Sequence, residues 1–354
     1  MLRCRAGYPV LEDLARRCPS RSQLRFNLAF RWRSRRRSGS GGVIRGFWNL
    51  SCQVGGETLV SQVELEKLLG NTASLFSHIY HFECSGVPFP GRTRRGAAIA
   101  YSDLGERRPD FVRELRSSIV SWVYSSSRFS SMLEEELKER GYDMGNAVSH
   151  IIDLAHSKFR SGFPRGQFGE LLLFNFLQHF FKAPALLRKM PLTTNVAVER
   201  HGADAIHLGL TDGKPVIFLG EAKTYTSNYK FATALEAALA SIVKAHSELM
   251  TELDLYVYDE FIEEPLRSVA KDIKRNKVEF EVQLVSIVSY TETKKVSGAN
   301  QAEIDASLEA MVVKRIGEVK KELFDSHNEN VLARMHFFFL PFWDLESLLK
   351  EFEP

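Results

Sequence analysis

The chain has 354 residues, 44% of them hydrophobic and 26% charged, with a formal net charge of +3. That composition is globular rather than disordered, and the length suits one large domain or two modest ones. No apolar run approaches the roughly 18 residues that cross a bilayer, and the four cysteines show no CxxC spacing, so membrane attachment, a disulfide scaffold and a zinc ribbon are disfavoured and a reducing cytoplasm is expected.

The charge is unevenly spread. Residues 1–45 hold twelve arginines against Glu12 and Asp13, a segment charge of +10 that leaves −7 for the remainder. An Arg-rich, acid-poor start ending in Ser38-Gly-Ser-Gly-Gly42 has three readings: a nucleic-acid-binding tail, a mitochondrial-type transit peptide, or an extension outside the natural fold. A disordered or non-native extension is the expectation for 1–45. Residues 46–144 follow as an α-rich N-terminal module. Within it, Thr72–Tyr80 suits a helix, Ala97–Tyr101 a strand, and Phe111, Leu115, Ile119, Trp122 and Val123 form one helical stripe after Pro109. Met132–Arg140 is a charged helix stopped by Gly141, and Ala147–Phe159 is a third.

The chain then opens a helix after Pro164 that is apolar almost all round over 168–181, the pattern of a buried helix. Glu170 interrupts it. Either the helix dipole favours this Glu in a first turn, or its carboxylate is aimed into a metal site. Lys189–Thr194 is a short candidate strand. Next comes a hairpin: Asp204–Leu210 alternates, Asp212-Gly213 makes the turn, and the apolar run Val216–Leu219 ends in Gly220-Glu221-Ala222-Lys223. An acid and a base two residues apart at the end of a buried strand make sense when both project into one site, because an unpaired buried charge is costly. His201 and His207 bracket Asp204, and a hydrogen-bonding or DNA-facing role suits them better than metal ligation. Beyond the hairpin lie a long helix over 229–253, a helical stretch at 265–274, a β-rich run at 278–290, a charged helix over 301–323 and the apolar run 335–341. The order helix, three strands, helix, strand, helix, strand, helix predicts an α/β fold, a mixed sheet flanked by helices.

These residues resemble a known family. Glu170 in a buried helix, Asp204 at a strand start and Glu221-Ala222-Lys223 on the next strand are similar to the PD-(D/E)xK core of restriction-endonuclease-like enzymes. RGQFGELLLFNFL, HGADAIHLGL, GEAKTY and MHFFFLPF look more specifically like the HamA family, nuclease subunits of the Hachiman anti-phage defence system. The resemblance covers 145–354, the expected nuclease domain. His201-Gly-Ala203 stands where the fuller signature has Pro before the Asp, which removes no ligand. The resemblance implies a Mg2+-dependent deoxyribonuclease, with Mn2+ as a substitute, acting in a heterodimer with a HamB-like helicase that restrains it.

Phosphodiester hydrolysis needs an activated water and charge stabilisation at phosphorus, which hard divalent cations held by carboxylates supply. Asp204 and Glu221 are the expected metal ligands, with the Ala222 carbonyl as a third oxygen and Glu170 completing an outer or second position. Lys223 shares a side of its strand with Glu221, where it can orient or deprotonate water and neutralise phosphate. No GxxxxGK[ST], HExxH, GxSxG or GxGxxG context accompanies these residues, which disfavours an ATPase, zincin, serine hydrolase or dinucleotide enzyme. The competing reading is a nucleic-acid- or protein-binding module that keeps the fold and uses the acids as structural ion pairs.

Overall fold

The computed structural model describes residues 61–86, 89–159, 165–188, 202–227, 230–256 and 262–353. The 1–45 segment, His201 and the candidate strand at 189–194 lie outside them. In chain order the elements are α1 (Gln62–Lys67), α2 (Ala73–Phe76), β1 (Ile79–Glu83), β2 (Thr93–Ile99), β3 (Tyr101–Ser102), β4 (Gly105–Glu106) and α3 (Arg108–Ser117). Helices α4 (Ile119–Val123), α5 (Ser126–Glu139), α6 (Met144–His156) and α7 (Arg165–Phe181) follow, then β5 (Ala185–Leu187), β6 (Ala205–Thr211) and β7 (Lys214–Tyr225). Helix α8 (Phe231–Tyr256), a 3-10 turn at Glu264–Leu266, α9 (Arg267–Lys274), β8 (Glu281–Glu292), α10 (Gln301–Gly317), α11 (Glu322–Asp325), α12 (Glu329–Leu332), β9 (Met335–Trp343) and α13 (Leu345–Phe352) complete it.

Seven strands form one mixed sheet in the order β1-β2-β9-β8-β7-β6-β5. The middle strands β2, β9, β8 and β7 run parallel, and β1, β6 and β5 add antiparallel neighbours. A parallel sheet is buried on both faces, so its strands read as unbroken apolar runs rather than alternating ones. Met335–Phe342 of β9 is accordingly buried at every position. Helix α7 covers one face, where it joins Val216, Phe218, Ala222, Val285, Ile287 and Phe338 in the main core. The expected α/β mixed sheet flanked by helices is the observed architecture.

Helices α3, α4, α6 and α13 close over α7. Phe168 of α7 meets Phe342 and Phe352, and Trp122 meets Phe159. On the opposite face α8 lies across β7 and β8, and Ile304 and Leu308 of α10 pack on Ala98 of β2. Gln62–Pro354 form one compact unit, and the boundary expected at residue 145 falls inside it. Residues 79–99 of the expected α-rich module contribute two strands to the shared sheet, and the helix expected over 72–80 is a single turn before β1. Among the described residues no helix is long and apolar enough to cross a membrane.

Candidate active site

The hairpin forms on the expected turn. Asp212 and Gly213 take positive φ angles of 51° and 77°, the pair that a two-residue type I′ turn requires and that Asp-Gly accepts at low cost. Thr211 pairs with Lys214, and the register runs down to Ala205 opposite Gly220. Asp204 stands one position beyond that pair, which sets it across from Glu221. Strand β7 does not stop at Lys223 as expected. It continues beside β8 to Tyr225, so the acid and the base sit within a paired strand and their backbone is held by the β7–β8 ladder.

Glu221 is only 5% exposed. The Lys223 ammonium donates to its Oε1 at 2.7 Å, and the Ala222 N–H donates to Asp204 Oδ2 at 2.9 Å. In an extended strand the N–H and C=O of one residue project toward the same neighbour. The Ala222 carbonyl therefore points toward the opening where β6 begins and Asp204 sits. Burial pushes the Asp204 carboxyl well above its ordinary range, the charges of Glu221 and Glu170 push it further, and the Ala222 N–H and Lys223 only partly offset them. Lys223 is raised above the usual lysine range, because burial, which disfavours its charge, is outweighed by Glu221 and then by Asp204 and Tyr225.

Glu170 reaches this place through a close helix–strand contact. A Cβ on Gly169 would lie 2.7 Å from Thr224 Oγ1 and 3.2 Å from the Ala222 Cβ, and a Cβ on Gly220 would lie 2.7 Å from Leu173 Cδ2. Two glycines thus let α7 and β7 approach more closely than any side chain would allow. Glu170 is half-buried and lies beyond the first turn of α7, so a first-turn dipole role does not account for it. Its carboxylate acts electrostatically on Asp204.

Among the described residues no group of three or more His, Cys, Asp or Glu side chains is arranged to hold a metal ion. The donor chemistry that is present, two facing carboxylates beside a backbone carbonyl, matches a cation that takes one or two protein carboxylates and fills its remaining positions with water and phosphate oxygens, as Mg2+ does. Mutual repulsion among Asp204, Glu221 and Glu170 is the electrostatic state that a bound cation relieves.

His207 does not belong to the site. It is 1% exposed, its Nδ1–H donates to the Ala183 carbonyl at 2.8 Å, and its ring stands edge-on to Phe174. Burial pulls it down to about pKa 3, so it is a neutral core histidine that faces no solvent. Gly169, Thr224 and Ser286 are the neighbours that sequence reasoning missed. Ser286 lies beside Glu221 in the β7–β8 register, and its Oγ, like Thr224 Oγ1, is buried without a hydrogen-bond partner. Small residues in otherwise bulky buried runs were the available signal.

The model of the HamA family matches residues 74–353. The chain belongs to the HamA family. Membership makes it a component of the Hachiman defence system and extends the kinship through β1, β2 and the helices of 108–156, well before residue 145. No curated protein matches the chain.

Proposed function

We propose that this HamA-family chain is a metal-dependent deoxyribonuclease, acting within a defence complex beside a helicase partner that restrains it. The observation that carries the reading is the facing pair Asp204 and Glu221, with Lys223 bonded to Glu221 and Asp204 raised first by burial and then by the neighbouring acids. A structural ion pair needs one acid per base; here the facing acids Asp204 and Glu221 share the one lysine at Lys223, an arrangement that favours a cation. A bound Mg2+ would supply Lewis acidity at phosphorus and a more acidic water. Asp204 and Glu221 would hold it, with the Ala222 carbonyl on the same side and Glu170 acting from the outer position. Lys223 keeps its proton at neutral pH in its raised state, which suits neutralising a phosphate oxygen better than abstracting a proton. Because β7 is laddered to β8, Glu221 and Lys223 hold their spacing as substrate enters.

The second reading, a binding module that retains the fold, draws on the 2.7 Å Glu221–Lys223 contact, which is also a good structural ion pair. Cleavage of DNA by the full chain, alone and with its helicase partner, separates the two. In Mg2+, Glu221→Gln and Lys223→Met are expected to lower the cleavage rate by about 100-fold or more. Equal cutting by wild type and both variants would remove these residues from the chemistry. Salt-dependent DNA retention without any cleavage in the complex would favour the binding module.

A further inference from the structure

A cavity of about 220 Å³ opens at the carboxyl end of β8, lined by Phe231, Ala232, Tyr290, Thr291, Arg315 and Glu318. Its place relative to the candidate site follows from the sheet. Gly220 meets Leu173 of α7 and Ala222 faces Gly169, so the alternate residues Glu221 and Lys223 project to the opposite face, the one covered by α8. Ser286 and Tyr290 of β8 lie on that same face, opposite Glu221 and Tyr225 in the parallel register. Phe231, the first residue of α8, packs on Tyr290 with ring centroids 4.8 Å apart. The cavity therefore shares a sheet face and a strand end with Lys223. The backbone of Tyr290, which lines the cavity, lies two residues along and one strand across from that of Lys223, about 8 Å by strand geometry, which is comparable with the separation of a phosphate from the base of its own nucleotide.

The lining chemistry selects the ligand class. Arg315 is already held by Glu292 at 2.7 and 2.9 Å and by Glu318 at 3.1 Å, so two carboxylates oppose one guanidinium and a phosphate would meet net negative charge. What remains is an aromatic wall, an apolar floor and hydroxyls. The Ser286 Oγ and the Tyr290 OH, on residues 0% and 2% exposed, are buried without hydrogen-bond partners. Buried hydroxyls are rarely left so, and Tyr290, whose OH has no partner, lines the cavity together with Thr291, whose Oγ1 is likewise buried without one, a second observation that points to a ligand. We propose that this cavity receives one unpaired nucleobase of the substrate strand whose phosphodiester lies at Lys223, so that the enzyme engages a strand with a base turned out of its stack. The inference rests on the nuclease reading for its substrate, and its geometry is separate from the chemistry.

A base in such a pocket gains stacking that tolerates any base identity. The test is binding of short fluorescent single-stranded oligonucleotides by the full chain in EDTA, with one abasic position walked along the strand in parallel DNA and RNA series. One abasic position is expected to weaken binding about tenfold, within the range for one stacked base, and the other positions far less. Ala232→Trp, which fills the cavity from an exposed helix position, should bring the intact strand down to the level of that abasic strand and flatten the profile. Tyr290→Phe, which removes a hydroxyl with no partner in the free protein, should keep the melting temperature while weakening the intact strand several-fold. A position-dependent loss in either series that Ala232→Trp abolishes supports the site and identifies the strand type. Equal affinity at every abasic position, or a profile unchanged by Ala232→Trp, overturns it. Because no metal is present, failure of cleavage with the profile intact would sink the nuclease reading alone, and a flat profile would sink the base site alone.

Discussion

Asp204 is a carboxyl that the fold disfavours in its charged form. Burial first, and then Glu221 and Glu170, hold it well above its unfolded value of 3.8. A carboxyl raised by folding contributes stability below its unfolded value and loses it as pH rises through the folded value, so at neutral pH Asp204 costs stability. Asp204→Asn, which can still accept from the Ala222 N–H, is therefore expected to raise the melting temperature at pH 7, by roughly 2–4 °C for each kcal/mol relieved. The gain should shrink as pH falls toward 4. Thermal melts of wild type and variant across that range check it, and an unchanged or lower melting temperature at pH 7 would mean that the acids do not strain one another. Added Mg2+ should stabilise wild type more than the variant. At this scale the sequence was informative wherever geometry is local. Two-residue spacing on a strand puts Glu221 and Lys223 on one side whatever surrounds them. For His207 the sequence left a hydrogen-bonding and a DNA-facing role open, and only the packing of α7 and the chain near Ala183 decides for the first, with the ring enclosed and bonded.

Helix α7 and strand β7 form the element pair that assembles the site. Their contact depends on Gly169 and Gly220, and at Gly220 the space for a Cβ is already taken by three atoms of Leu173 within 3.0 Å. One of those atoms is Cγ, so rotating the terminal methyls does not clear it. Gly220→Ala is expected to cost about 1–3 kcal/mol, the usual penalty for overpacking, and to lower activity further by moving α7 and Glu170 away from Asp204. Urea unfolding measures the first effect. A variant as stable as wild type would show that the helix can shift freely on the strand. The hairpin itself was readable, because Asp-Gly dictates its turn and alternation its register. The full length of β7 was not, because Lys223, Thr224 and Tyr225 remain in strand only by pairing with Val288, Ser289 and Tyr290, more than 60 residues later in the chain.

Across the whole molecule, a buried ion pair ties the sheet edge to the helical layer. Arg188, just after β5, donates to Glu263 Oε1 at 3.0 Å and to the carbonyls of Ser121 and Trp122, and the two side chains are only 9% and 4% exposed. Removing one partner strands the other charge. Arg188→Met is expected to cost about 3–5 kcal/mol, whereas adding Glu263→Leu should recover most of it, since an apolar pair avoids the desolvation. A double-mutant cycle by chemical unfolding measures this, and an additive result would show that the two charges do not depend on each other. Neither residue announces the other in sequence, 75 positions apart in segments that read as loops. By itself the sequence determined the buried helix at 165–181, the hairpin, the alternation of helix and strand that follows it, the shared side of Glu221 and Lys223 and the family resemblance. Each follows from periodicity or from residues within a few positions of one another. Tertiary structure alone decided that β1 and β2 complete the sheet, that Glu170 acts on Asp204, that His207 is core and that a cavity opens beside Tyr290 at the carboxyl end of β8. Those outcomes depend on which distant surfaces meet, and local periodicity carries the shape of each surface without naming the surface that covers it.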